Sequence, residues 1–294
     1  MYRIIFLKRT SVKMRIMPII LGLFVSSVVY AQEIFEGEIA YQTFEQYSDY
    51  LLRMGNSIVF NGVHTIRLIL KGSKVHVIDE TTGCHIVCDD DAKTYIHYCD
   101  HTKTGLDISS NIESQLMLLP RDITYSNFTA VLKSNSFGKT ETTKALLGKS
   151  CTLYEGTMVR DVTMINTYDI KAYVADSIVA PSGYKYHNQG MDIPNIALYW
   201  AFKYDGGHVG VFGVGELSFY IEADVTEIIP RVVNDDEFSV PSDYKISTKA
   251  KNGFAIMKYY NGVKKQLESL GIKGGEKNEK QSGVHYKTEG EWDF

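Results

Sequence analysis

The 294-residue sequence contains no G-x-S-x-G and no H-E-x-x-H. The nucleophile elbow of α/β-hydrolases and the zincin helix are therefore not encoded. Past residue 31 no apolar run is long enough to cross a bilayer as a helix. No internal repeat is visible, so a solenoid or propeller is excluded. An excess of positive charge is also missing. The chain has 31 Lys+Arg against 35 Asp+Glu, a net charge of −4. That balance argues against nucleic acid or an anionic membrane as electrostatic partner.

What is present begins with a targeting segment over residues 1–31. Lys8, Arg9, Lys13 and Arg15 form a charged region ahead of an apolar core, Ile16 to Val29. Val29-Tyr30-Ala31 then offers a small residue at a cleavage point before Gln32, the pattern of a secretory signal. No cysteine sits there, so no lipid attachment is expected at that point. Removing the segment takes away five basic residues and no acid, leaving a net −9 on a mature chain of 263. An exported chain meets an oxidising compartment, where disulfides persist. Its four cysteines allow three pairings.

Short runs rich in Val, Ile, Tyr and Thr, cut by Gly and Asp clusters, dominate the rest and predict a mainly β chain. Phe35–Gln42 alternates apolar and polar residues, as a strand with one wet face does. Phe44, Tyr47, Leu51, Met54 and Ile58 follow at spacings of three and four, which predicts an amphipathic helix over 44–58 packed on the sheet. Further strands are expected at 63–70, 74–80, 123–132, 144–154, 169–174, 209–214 and 217–225. A partly helical stretch is expected at 106–119 and a polar turn at 134–143. Ile256, Tyr260, Val263, Leu267 and Leu270 predict a second amphipathic helix within 249–273, stopped at Gly271. Residues 274–294 form a charged tail, read as disordered.

The stretch Lys74 to His101 reads as a meander with cysteines in it. If Asp90 and Lys93 flank a tight turn, opposed residue numbers sum to 183. Cys84 then faces Cys99, Ile86 faces His97 and Cys88 faces Tyr95. Directly opposed Cβ atoms lie about 4.5–5.5 Å apart, within reach of a somewhat strained Cys84–Cys99 disulfide. Cys88 and Cys151 form a second bridge or stay free. The same face carries His97 and His101, but Cys-x3-Cys with His-x-Cys-x-His is a poor zinc spacing, so no metal is assigned. The Gly-rich stretch from Gly206 to Gly215 lacks G-x-G-x-x-G with a following helix and reads as a curved strand. Ser242 and Lys245 match S-x-x-K without its partner motifs. His64, His76, His85 and His187 look scattered, and no cofactor or catalytic residue is assigned.

Three stretches resemble a known family. Leu70-Lys71-Gly72-Ser73-Lys74-Val75 resembles a K-G-x-K hairpin, and Thr143 to Tyr154 resembles T-K-x-I-x-G-Y-x-C-x-x-Y. Val225-Thr226-Glu227-Ile228, followed by Asp235-Asp236-x-Phe238-Ser239-Val240-Pro241-Ser242-Asp243-Tyr244, resembles the closing V-x-E-I and D-D-x-x-F-x-V-P-x-G-Y. Lys149 replaces the usual Tyr and Asp243 the usual Gly. Together they are similar to uncharacterised exported Gram-negative envelope proteins of the GLPGLI-related, LolA/LolB-like lipoprotein-carrier type. The resemblance implies an α+β fold over 32–248: a curved antiparallel sheet or incomplete β-barrel with helices packed on its concave face. It implies a periplasmic or envelope location and no catalytic residues. A carrier of this kind needs inward apolar positions that are not fully filled. Leu68, Leu70, Val75, Val77, Ile86, Tyr95, Leu153 and Tyr173 line either such a pocket or a filled core. The expected function is therefore non-enzymatic binding of a hydrophobic ligand, a lipid or a lipoprotein acyl chain. The alternatives are an envelope module that binds a protein partner, and a Cys/His metal site.

Overall fold

The strand β1 (Gly37–Tyr47) alternates buried and half-buried residues without a break, and it forms ladders on both sides. A computed structural model describes residues 33–47, 61–109, 132–134, 137–161, 165–186, 191, 193–208, 216–248 and 253–272. The architecture below belongs to the unit running from Ile34 onward. The leader, the tail, the strand expected at 209–214 and all but Leu132 of the strand expected at 123–132 lie outside the described residues.

On one side of β1 runs a meander of β2 (Gly62–Lys71), β3 (Lys74–Asp79), β4 (Cys84–Asp89), β5 (Thr94–Cys99) and β6 (Thr104–Asp107). On the other run β12 (Glu216–Pro230), β11 (Asn195–His208), β10 (Ile165–Val179) and β9 (Lys149–Asp161), again all antiparallel. The short β7 (Leu132–Ser134) and β8 (Gly138–Leu146) both pair with β9, and β13 (Lys245–Ser247) adds in parallel to β6. The result is a 13-stranded sheet with β1 near its middle.

Side chains of one parity make the core. Across the first meander, Ile39, Leu68, Val77, Ile86, His97 and Leu106 form one row, and Leu70, Val75, Cys88 and Tyr95 the next. Trp200, Phe202, Ile221 and Tyr41 continue the same face in the second half. A 3-10 segment in the β10–β11 connection, Ser182–Tyr186, lies against β2, β3 and β4. Its fully buried Tyr184 hydroxyl lies 3.0 Å from that of Tyr41 and accepts from the Ala197 amide.

The α+β expectation of helices packed on a concave face is overturned. Among the described residues there is one α-helix, α1 (Gly253–Ser269), and it docks at one end of the sheet, with Tyr259 and Tyr260 against His97 of β5. The helix expected at 44–58 fails where it is described. Phe44 to Tyr47 belong to β1, paired to both β2 and β12, and 48–58 lie outside the described residues. The cause is an inward Glu45, whose carboxylate accepts from the Tyr47 hydroxyl at 2.8 Å. A buried acid breaks the apolar alternation that would have marked the strand. The polar stretch 134–143 is not a turn region either. Most of it is the exposed edge strand β8, whose Lys and Thr side chains protect a free edge. Leu106 belongs to β6 rather than to a helix.

Candidate functional site

The eight expected pocket residues do not converge. Leu68, Leu70, Val75, Val77, Ile86 and Tyr95 are packed in the main core on β2 to β5. Leu153 and Tyr173 oppose each other across β9 and β10. Ala172 and Val174 take the core positions beside Tyr173, which is half-buried and packs at the margin of the core. Tyr173 meets Tyr199 there, ring centroids 6.0 Å apart.

A groove of ≈ 490 Å³ does open where α1 meets the β6/β13 edge. Gly105, Leu106 and Val263 give it an apolar floor, Thr102, Thr104 and Gln266 a polar margin, and Lys245 and Lys258 two cations. No Asp or Glu lines it among the described residues. Tyr259 forms one wall and is held there. Its hydroxyl donates to the Thr104 carbonyl at 3.3 Å and lies 3.0 Å from His97 Nδ1, which therefore donates to it. Gly262 faces the groove in mid-helix. A Cβ there would meet nothing within 4 Å, so the protein leaves that space unfilled. A helix-interior glycine costs about 1 kcal/mol against alanine, and no internal packing at this position requires it.

The cysteine hairpin has the expected register: Cys84 faces Cys99, Ile86 faces His97 and Cys88 faces Tyr95. All four cysteines are buried, and no disulfide joins them in this structure. Cys151 faces Lys144 and Ala175 on β9's two sides, so nothing joins it to Cys88. No group of His, Cys, Asp and Glu with metal-holding geometry exists among the described residues.

A second cluster was not read from the sequence. On the outer face of the hairpin, His76 Nε2 lies 3.0 Å from His85 Nδ1 and 3.1 Å from the Tyr98 hydroxyl, and the His85 ring stacks on Tyr98. His76 Nδ1 donates to the Glu237 carbonyl at 2.7 Å, and His85 Nε2 faces Asp100 at 3.3 Å. Burial, helped by the neighbouring His85, pushes His76 down to about 4, and burial also lowers His85. Register could have found part of this cluster, because 85 and 98 also sum to 183.

The strap that covers the cluster runs from Arg231 to Tyr244. Arg231 bridges Glu38 and Glu237, and their hydrogen bonds hold Glu237 at about 2. Lys71 and Lys74 both reach Asp235 at 3.1 Å. The K-G-x-K hairpin and the closing D-D motif are thus two halves of one contact. A third polar patch lies on the outer face of β12. Asp224 Oδ2 is buried with no hydrogen-bond partner, and burial, with Glu222 beside it, raises Asp224 to about 7.

No family model matches the chain, and no curated protein matches it. Among solved structures, one of PNGF-II is similar over 76% of this chain, at 12% identity and a TM-score of 0.37. The chain spans 32% of that structure's chain, and a likeness this distant carries no argument about fold or activity.

Proposed function

We propose that this protein is an exported, non-enzymatic binding protein of the Gram-negative envelope, and that its ligand is an amphiphile with an apolar tail and an anionic head. The groove between α1 and the β6/β13 edge is the observation that carries this reading. Its volume lies in the usual range for ligand sites, and it combines an apolar floor with a few polar groups. Its only charges are those of Lys245 and Lys258, among the described residues. A lipid carboxylate or phosphate is the matching head group, because a neutral or cationic head would leave both ammonium groups unopposed. Carboxylate, imidazole and thiol groups, the usual acid–base and nucleophilic equipment, do not line the groove among the described residues. The envelope setting follows from the leader pattern and from the family resemblance.

A second reading, an interaction module with a filled core, draws on six of the eight expected pocket residues being fully packed. One experiment separates the two. Protein purified from the periplasm is measured by native mass spectrometry before and after organic extraction, then titrated with a fluorescent fatty acid. The binding reading expects a lipid-sized adduct and saturable uptake. It also expects Gly262→Leu, whose side chain enters open space, to cut uptake at least tenfold without lowering the melting temperature. A clean mass with no uptake by the wild type gives the module reading instead.

A further inference from the structure

We propose that Cys84 and Cys99 are the protein's redox-modification site: in the exported protein they form a disulfide that locks the β4–β5 hairpin. The backbone provides the first argument. The Asp100 amide donates to the Gly83 carbonyl at 2.8 Å. In an antiparallel ladder that bond lies just outside the Cys84/Cys99 pair, so the two cysteines form a non-hydrogen-bonded pair. Such pairs have the shorter Cα separation, about 4.5 Å, with side chains closest. That separation lies at the short end of the disulfide range.

The side chains supply a second, independent argument. Both sulfurs point to one acceptor: the Thr82 carbonyl oxygen lies 3.8 Å from Cys84 Sγ and 3.9 Å from Cys99 Sγ. The two thiols also interact directly with each other. This contact holds Cys99 below the usual thiol range, while burial keeps Cys84 above it. The other two cysteines have no such partner. Cys88 opposes Tyr95, and Cys151 opposes Lys144 and Ala175. The pairing is therefore specific among the three that four cysteines allow.

The chemistry is thiol–disulfide exchange with an external disulfide, such as an oxidised dithiol protein or oxidised glutathione. One cysteine thiolate attacks a sulfur of that disulfide, forms a mixed disulfide and expels a thiolate. The second cysteine loses its proton and attacks the first cysteine's sulfur, expelling the other half. One Cys84–Cys99 bond forms, the external disulfide becomes two thiols, and two electrons move to it. Both sulfurs are buried in the finished fold, Cys99 completely. Exchange therefore belongs to the open hairpin, before the core closes over it, and the closed core then shields the bond from reductants.

The bond also bears on the groove. The Cys99 carbonyl accepts from the Lys103 amide at 3.0 Å and from the Thr102 amide at 3.3 Å, at the turn that leads into the groove wall. This consequence rests on the binding reading; the disulfide itself does not.

The test is peptide mapping of the exported protein, denatured and alkylated without reductant. The expected result is one cross-linked pair containing Cys84 and Cys99, with fragmentation placing alkyl groups on Cys88 and Cys151. The reduced protein, refolded in a glutathione redox buffer, should give the same pair without depending on export. Reduction should lower the melting temperature by roughly 5–10 °C, as expected for opening a loop of this size. A Cys84→Ser/Cys99→Ser protein should melt at the reduced value with or without reductant. Alkylation of both Cys84 and Cys99 in either preparation, or a cross-link from Cys88 or Cys151, would overturn the proposal.

Discussion

Single residues carry most of what the sequence hid. Asp224 is an example. It sits on the outer face of β12, opposite Gln42 and Tyr199, with Glu222 two residues away on the same face. One carboxyl oxygen is buried without a hydrogen bond, and the group is raised to about 7 by burial and by Glu222, against a weaker opposing pull from Lys144. The folded protein therefore holds a proton that the unfolded chain has already lost. Stability from this site is present below the ordinary value of 3.8 and is lost as pH rises towards 7. Asp224→Asn removes the titration and should stabilise the protein by roughly 1–3 kcal/mol at pH 8, with almost no effect at pH 4. Urea unfolding at the two pH values checks this, and an equal effect at both would refute it. Nothing in the sequence around Asp224 marks it, because half of its surroundings come from β1, at the other end of the chain.

Elements differ sharply in how legible they were. The hairpin of β4 and β5 was read to the residue, since one tight turn and a period of two determine every facing pair. The C-terminal helix was read from its 3.6-residue apolar spacing and its Gly271 stop, and Gly271 has the positive φ of such a stop. The 44–58 helix failed for a local reason: Glu45 is turned inward and satisfied by Tyr47, so polarity no longer reports the face. The groove stayed hidden because it needs α1 and β13 to meet β6, some 140 residues earlier.

The strap from Arg231 to Tyr244 offers a test at this scale. His76 donates to the strap's Glu237 carbonyl and is also faced by His85 and Tyr98, with Asp100, Glu237 and Tyr244 as the neighbouring ionisable groups. Its folded value of about 4 lies below the ordinary 6.5, so the unfolded chain binds the proton first. Stability from this contact is complete above pH 6.5 and is lost as pH falls towards 4. The loss should reach roughly 2–3 kcal/mol. His76→Gln should be less stable at pH 7 but should lose less on going to pH 4. Comparing the two proteins isolates His76 from Asp224, whose contribution runs the other way over that window. Parallel pH profiles for wild type and variant would refute this role.

At the scale of the whole molecule, β1 is what makes one sheet of two meanders. Each meander is built from sequence neighbours; β1's ladders to β2 and β12 join them into one sheet, and the Ser182–Tyr186 segment of the second packs against β2, β3 and β4 of the first. Local pattern predicted most strands of the two meanders but neither β6 nor β11, and it had no access to the β1–β12 ladder, which links residues about 170–190 positions apart. Gly37 sits at the end of that join. It has φ +147°, and a Cβ there would lie 2.2 Å from the Ile229 carbonyl oxygen. Backbone must move to admit any side chain, so Gly37→Val should cost roughly 2–4 kcal/mol. If the join makes the molecule a single cooperative unit, that cost must appear in both halves. Trp200 fluorescence, read in a Trp292→Phe background, reports the second meander, and alkylation of the buried Cys88 reports the first. Both probes should give one denaturant midpoint in the wild type and one lower midpoint in the variant. Separate midpoints, or a shift in the Trp200 signal alone, would mean that the first meander with its cysteine hairpin stands without β12. The groove and hairpin would then belong to a unit that folds independently of the second meander.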